Sequence, residues 1–146
     1  MTTKGFIRYR VGYKYQLAED YQLQTAFKID EAVDGEFIVL TTAGLLVIKK
    51  GYAWDGISGP VADSETNMRA SLVHDALYQL MRQENLDFQT HRKIADKLFK
   101  HICKEDGVPH FLASSYYEVL RLFAESAAKP SNKKILFSAP KKAVSQ

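Results

Sequence analysis

Leu45-Leu46-Val47-Ile48-Lys49-Lys50-Gly51-Tyr52-Ala53-Trp54-Asp55-Gly56-Ile57-Ser58-Gly59-Pro60 is the stretch in which the chain changes character. Its first four residues are an unbroken apolar run, which predicts a strand covered on both faces. Its last six hold two glycines and a proline, too flexible and too kinked for the interior of a strand or helix, so a shaped loop is expected there. The residues before this loop favour strands and those after it favour helices.

Upstream, from Gly5 to about Trp54, aromatic and β-branched residues are frequent, and Phe6, Arg8 and Arg10 alternate with Ile7, Tyr9 and Val11. Strands are expected at 13–17, 26–29, 36–40 and 45–49. Asp34-Gly35 is the strongest hairpin signal between them and Ala43-Gly44 a weaker one. Downstream, Asp63 or Ser64 is placed to cap a helix over 65–83, in which Leu72, Ala76 and Leu80, with Val73 and Leu77, recur at spacings of three and four. Asp87 is placed to cap a second helix with the stripe Ile94, Ala95, Leu98, Phe99 and Ile102, which Gly107 ends. Pro109 suits the first turn of a third helix reaching 127, with Phe111, Leu112, Tyr116, Val119, Leu120 and Phe123 facing inward. A sheet followed by a run of helices is an α+β fold: an N-terminal antiparallel β-sheet, then a three-helix segment.

The 146 residues suit one domain, expected over 1–127, and 46% hydrophobic content is enough for a core without disulfides. The single cysteine, Cys103, sits among Leu98, Phe99 and Ile102 and reads as a buried, inert thiol that suits a reducing compartment. Residues 1–15 lack the apolar core of a secretion signal, and no apolar run approaches the roughly 18 residues that span a bilayer. A soluble protein made in the cytoplasm is expected. The net charge is +3, yet residues 128–146 carry five lysines and no acid, leaving the body slightly acidic. The basic character belongs to an expected flexible Lys-rich tail, and a nucleic-acid groove on the folded body is not expected.

The chemistry concentrates on the first helix. His74, Asp75 and Tyr78 stand in the order His-Asp-x-x-Tyr, so His74 and Tyr78 share a face and Asp75 lies about 100° around. Their apolar neighbours imply partial burial and a need for partners. Asp96, in the apolar segment Ile94-Ala95-Asp96, is placed to supply one if the helices pair antiparallel. A carboxylate holding one imidazole nitrogen leaves the other free to take a proton, a contribution of about 10² to 10⁴ in rate. Asp75 would then be free for a cation, with Asp55 and the loop carbonyls of 52–60 completing the oxygen donors that calcium favours. The competing expectation is that a buried His-Asp-Tyr network only specifies helix packing.

Seven further residues are candidates for supporting roles. Trp54 and Tyr52 are placed either to flank a ligand or to pack, and Gly56 and Gly59 shape the loop. Ser58 fails the Gly-x-Ser-x-Gly pattern at Pro60 and reads as a turn-stabilising hydroxyl. Arg69 is expected to be solvated or to pin a loop. Arg92, four residues before Asp96, suits an intrahelical ion pair worth about 0.2–0.5 kcal/mol. His91, His101 and His110 lack zinc-site spacing.

Three ordered motifs, Gly51-Tyr52-Ala53-Trp54-Asp55-Gly56-Ile57-Ser58-Gly59-Pro60, then Ala70-Ser71-Leu72-Val73-His74-Asp75-Ala76-Leu77-Tyr78, then Arg92-Lys93-Ile94-Ala95-Asp96-Lys97-Leu98-Phe99, resemble the phage and prophage family known as domain of unknown function 1353. The resemblance covers roughly 35–125. It implies origin in a tailed phage or prophage, location in the host cytoplasm after synthesis or on the virion, and no particular reaction. A weaker resemblance is to secretory phospholipase A2, which also orders a glycine-rich calcium loop, a helix with His-Asp-x-x-Tyr, and an antiparallel helix bearing a second aspartate. It implies that His74 activates water, Asp75 binds calcium, Asp96 orients His74, and Tyr78 bonds Asp96. The chain departs from that enzyme class in lacking its paired cysteines, in having Asp55 and Pro60 in the loop, and in its large N-terminal strand region.

The resulting expectation is a hydrolase of ester or amide bonds, calcium-assisted, with a lipid or envelope substrate. The alternative is a non-enzymatic virion, tail or host-interaction protein whose Lys-rich tail, with Ile135, Leu136 and Phe137, docks on a phage structural protein or a host protein.

Overall fold

The computed structural model describes residues 5–10, 15–56 and 62–130. In chain order the described strands are β1 (Tyr9–Arg10), β2 (Tyr15–Leu17), β3 (Tyr21–Gln24), β4 (Val33–Asp34), β5 (Ile38–Leu40), β6 (Leu45–Ile48) and β7 (Ala53–Trp54). They are followed by α1 (Met68–Arg82), α2 (Phe88–Glu105), α3 (His110–Phe123) and the short α4 (Glu125–Ala128). The class is the expected α+β, but the strands divide into two antiparallel sheets, ordered β1-β2-β7 and β3-β6-β5-β4.

The β6 strand organises the larger sheet. Leu46 stands opposite Leu23 and Leu40, and Ile48 opposite Tyr21 and Ile38, so one face of three strands is continuously apolar and buried. Leu45 and Val47, on the other face, are only half-buried; the apolar run marks a strand with one fully covered face, not two. Ala43-Gly44 does turn the β5–β6 hairpin: the Gly44 amide donates to Thr41 O at 2.9 Å, and its φ of +93° suits glycine. A Cβ there would collide with the carbonyl oxygens of Thr25 and Phe27. Asp34-Gly35 likewise closes the β4–β5 turn, with the Gly35 amide on Ile38 O at 2.9 Å.

The strand expected at 26–29 is absent. Thr25 Oγ1 donates to Gly44 O at 2.6 Å and accepts from the Phe27 amide at 3.2 Å, turning the chain out of the ladder while Phe27 drops into the core. The sheet is completed instead by β3, whose alternation Tyr21-Gln22-Leu23-Gln24 matches its burial pattern.

The first helix begins three residues later than expected, and neither Asp63 nor Ser64 caps it. Asn67 commits its side chain backwards, accepting from the Ser64 amide and donating to Ala62 O, both at 2.9 Å, while Asp63 accepts from the Tyr15 hydroxyl at 2.8 Å. For α2 the expectation holds at both ends. Asp87 accepts from the Thr90 amide at 2.9 Å, and beyond Asp106 the amides of Gly107 and Val108 return to Lys104 O and Cys103 O. Pro109 precedes α3, which ends at Phe123 instead of 127. Leu120 points inward and Leu112, Tyr116 and Val119 are half-buried, but Phe111 and Phe123, expected inside, are 72% and 63% exposed. Ala128, placed at the start of the tail, is wholly buried at the end of α4; residues 131–146 lie outside the described part of the chain.

Helix α1 is the hub. It lies between the strands and α2, with Ala70, Leu72, Val73, Ala76, Leu77 and Met81 almost fully enclosed. Three polar ties fix its rotation: Trp54 Nε1 donates to Ser71 Oγ at 3.0 Å, the Tyr52 hydroxyl to Gln79 Oε1 at 3.2 Å, and Arg69 Nη1 to the Tyr21 hydroxyl at 2.9 Å. That orientation turns His74 and Tyr78 towards α2.

Candidate functional site

His74 and Tyr78 are one turn apart on α1, their ring centroids 4.0 Å apart, and both reach the same oxygen of Asp96 on α2. The His74 Nε2 to Asp96 Oδ1 distance is 2.7 Å, and the Tyr78 hydroxyl donates to Oδ1 at 2.6 Å. Asp96 is completely buried. Its second oxygen accepts from Arg121 Nη1 of α3 at 2.8 Å, with Arg92 Nε 3.9 Å away. Burial opposes ionisation of this carboxyl, but the bonds from His74, Tyr78 and Arg121 outweigh it and hold the group below the usual carboxylate range. Burial first, then the Asp96 charge, pushes the Tyr78 hydroxyl well above its ordinary value. Asp96 is therefore an anion and Tyr78 a neutral donor.

An ionised Asp96 at this distance holds a proton on Nε2, which leaves Nδ1 as the position open for proton exchange. Among the described residues Nδ1 has no hydrogen-bond partner, and no buried side-chain nitrogen or oxygen there is left without one. Nδ1 therefore lies on the 8% of His74 still open to solvent. Phe99 meets the ring edge-on at 5.4 Å and limits its rotation. A buried carboxylate, a held imidazole and one accessible nitrogen form a general-base arrangement.

Arg92 does far more than pair with Asp96 along its helix. Its Nε donates to the Tyr78 hydroxyl at 3.1 Å and its Nη2 to the carbonyls of Leu120 and Arg121 at 2.8 and 2.9 Å, satisfying the end of α3. Arg121 was missed in the sequence. Its signal was the one that marked Asp96, a lone charge within an apolar segment, here Val119-Leu120-Arg121-Leu122-Phe123.

The remaining candidates sit apart from this centre. Arg69 is only 4% exposed, so it is not solvated; it joins α1 to Glu105, Asp106 and Tyr21. Trp54 is 2% exposed and packs against Tyr15 and Tyr52, a place for packing and not for a ligand. Gly56 has φ +85°, and a Cβ there would collide with the Asp63 carboxylate, so its role is to let the chain pass that group. Ser58 and Gly59 lie outside the described residues. Asp75 is half-buried and Asp55 exposed. Burial, followed by the charge of Asp75 and more weakly that of Asp55, pushes the Tyr52 hydroxyl upward, which places both carboxylates within electrostatic reach of it. Calcium takes about six to eight oxygens. Among the described residues no three His, Cys, Asp or Glu side chains are gathered to hold a metal, so these side chains alone do not make a calcium site.

The fold and the network define an α+β protein whose three main helices converge on one buried carboxylate. The chain belongs to the family described as protein of unknown function (DUF1353), which matches residues 31–119. That span takes in His74, Asp75, Tyr78, Arg92 and Asp96 and stops just short of Arg121. No curated protein and no solved structure matches the chain. Among the described residues no helix is long and apolar enough to cross a membrane.

Proposed function

We propose that the protein is a phage- or prophage-encoded hydrolase of ester or amide bonds in which His74 activates water. The observation that carries this is the accessible Nδ1 of an imidazole whose Nε2 is held by a buried aspartate at 2.7 Å. Water placed at Nδ1 gives up a proton to it as its oxygen attacks the substrate carbonyl; the imidazolium then returns that proton to the departing alcohol or amine. Asp96 stabilises the transient imidazolium, and Tyr78, Arg92 and Arg121 hold Asp96 in place. Asp96 and Tyr78 are thus positioning residues.

Calcium is a separate proposal, in which Asp75, Asp55 and loop carbonyls hold the ion and it polarises the carbonyl under attack. The proposed substrate is a lipid or another envelope component, met from the host cytoplasm or from the virion. Fatty-acid release from mixed phospholipid vesicles, measured with calcium and with chelator beside a folded His74→Ala variant, tests both. Release lost in the variant supports the hydrolase, and its loss in chelator supports the ion. Equal rates for the two proteins remove His74 as the base.

A second reading has its own support. Phe111, Leu122 and Phe123 on α3 are 72%, 74% and 63% exposed, which suits a protein that docks on a phage structural protein or a host protein. In that case the His74–Asp96 network serves packing alone. Removing residues 131–146, with Ile135, Leu136 and Phe137, should weaken assembly and leave the body folded; unchanged assembly counts against the tail as the docking arm.

A further inference from the structure

We propose that the groove between the first turns of α2 and the α3–α4 junction binds a phosphate-class anion. Its walls include Phe88, Arg92, Lys93, Arg121, Glu125 and Lys129, and its volume is about 340 Å³. Four cations face one acid across a space that takes a phosphate and a small attached body.

The two arginines are built into the site before any ligand arrives. Arg92, 6% exposed, is held by the Tyr78 hydroxyl and the two α3 carbonyls through Nε and Nη2. Its Nη1 is the exception: among the described residues it meets only Glu125 Oε2, 3.7 Å away, beyond hydrogen-bond length. Arg121 is anchored by Nη1 on Asp96, so its Nε and Nη2 donors are uncommitted on a side chain 30% exposed. Two anchored guanidiniums with spare donors suit the oxygens of a phosphate, and little ordering cost remains on binding. Lys93 is exposed at the rim and adds charge without packing constraint.

Glu125 acts as the resident counter-ion. It sits 3.2 Å from Lys129 Nζ as well as facing Arg92, and its side chain is 52% exposed, so it can swing into solvent as an anion enters. None of this depends on His74 being a base, and the two proposals stand or fall separately.

Calorimetric titration of the full chain with inorganic phosphate at constant ionic strength tests the site. Saturable binding is expected, weakened about threefold in Lys93→Gln and about tenfold in Arg121→Gln, and strengthened several-fold in Glu125→Gln. The exposed Lys93 and Glu125 keep the test decisive if Arg121→Gln does not fold. No saturable heat, or an affinity that Lys93→Gln and Glu125→Gln leave unaltered, overturns the proposal. Given saturable phosphate binding, glycerol phosphate following the same variant pattern assigns the site to a small soluble ligand, whereas phosphatidic acid vesicles binding more tightly than glycerol phosphate, with the same variant order, assign it to a lipid headgroup.

Discussion

Arg69 grips Asp106 with two parallel hydrogen bonds, Nε to Oδ2 at 3.0 Å and Nη2 to Oδ1 at 2.9 Å. The same guanidinium reaches Glu105 at 2.8 Å and the Tyr21 hydroxyl at 2.9 Å, so one side chain joins α1, the end of α2 and the edge of the larger sheet. Arg69→Ala leaves these groups without their partner and is expected to cost about 3 kcal/mol in urea unfolding. Arg69→Lys should recover little of it, because an ammonium cannot reproduce the fork.

The Asp96 carboxyl lies below its ordinary value near 3.8 in the folded protein. As pH falls the unfolded chain takes up this proton first, so the stabilisation is present above the unfolded value and is lost as pH drops through the folded one. Asp96→Asn should cost about 3–5 kcal/mol at neutral pH and flatten the acid limb of the stability curve. Urea midpoints between neutral pH and about pH 3 measure both effects. An unchanged acid limb would mean that Asp96 does not carry the acid sensitivity.

Cys103 is fully enclosed, and burial, followed by the negative charge of Asp106, pushes its thiol up to about 12. The thiolate is the reactive form, so iodoacetamide at pH 8, about a unit below the ordinary thiol value, should label the native protein far more slowly than the unfolded chain. Equal rates would place Cys103 at the surface.

Glu84 holds φ +64° after α1, where the Asn85 amide returns to Leu80 O at 2.8 Å and its own to Met81 O at 3.1 Å. Glycine is the residue that such a helix end favours. Glu84→Gly should stabilise the protein by about 0.5–1 kcal/mol, the relief of the left-handed backbone exceeding the added freedom of the unfolded chain. A lower melting temperature would contradict this.

The α+β class was legible because period-two alternation before Gly51 gives way to helical spacing after it. The edges were less so, for physical reasons. Thr25 ends a strand by a side-chain bond that composition does not reveal, and Asn67 turns towards the preceding loop instead of capping the helix ahead of it. Phe111 and Phe123 fit an apolar rhythm, yet they face solvent because little packs against that side of α3 among the described residues. At the centre, the one-turn spacing of His74 and Tyr78 and a lone aspartate in an apolar stripe were enough to bring three side chains together. The roles of Arg92 and Arg121 depend on where α3 crosses α2, and no local pattern encodes that crossing.

The central claim is that His74 is a base presented by Asp96. Its most direct test is the hydrolysis rate of His74→Ala against the native protein, on whichever ester or amide the native protein cleaves fastest, with both shown folded by circular dichroism. A loss of about 10² to 10⁴ is predicted, the ordinary contribution of a positioned general base. A loss of only a few-fold would contradict the claim and leave the His74–Asp96 pair as a device that holds the helices together.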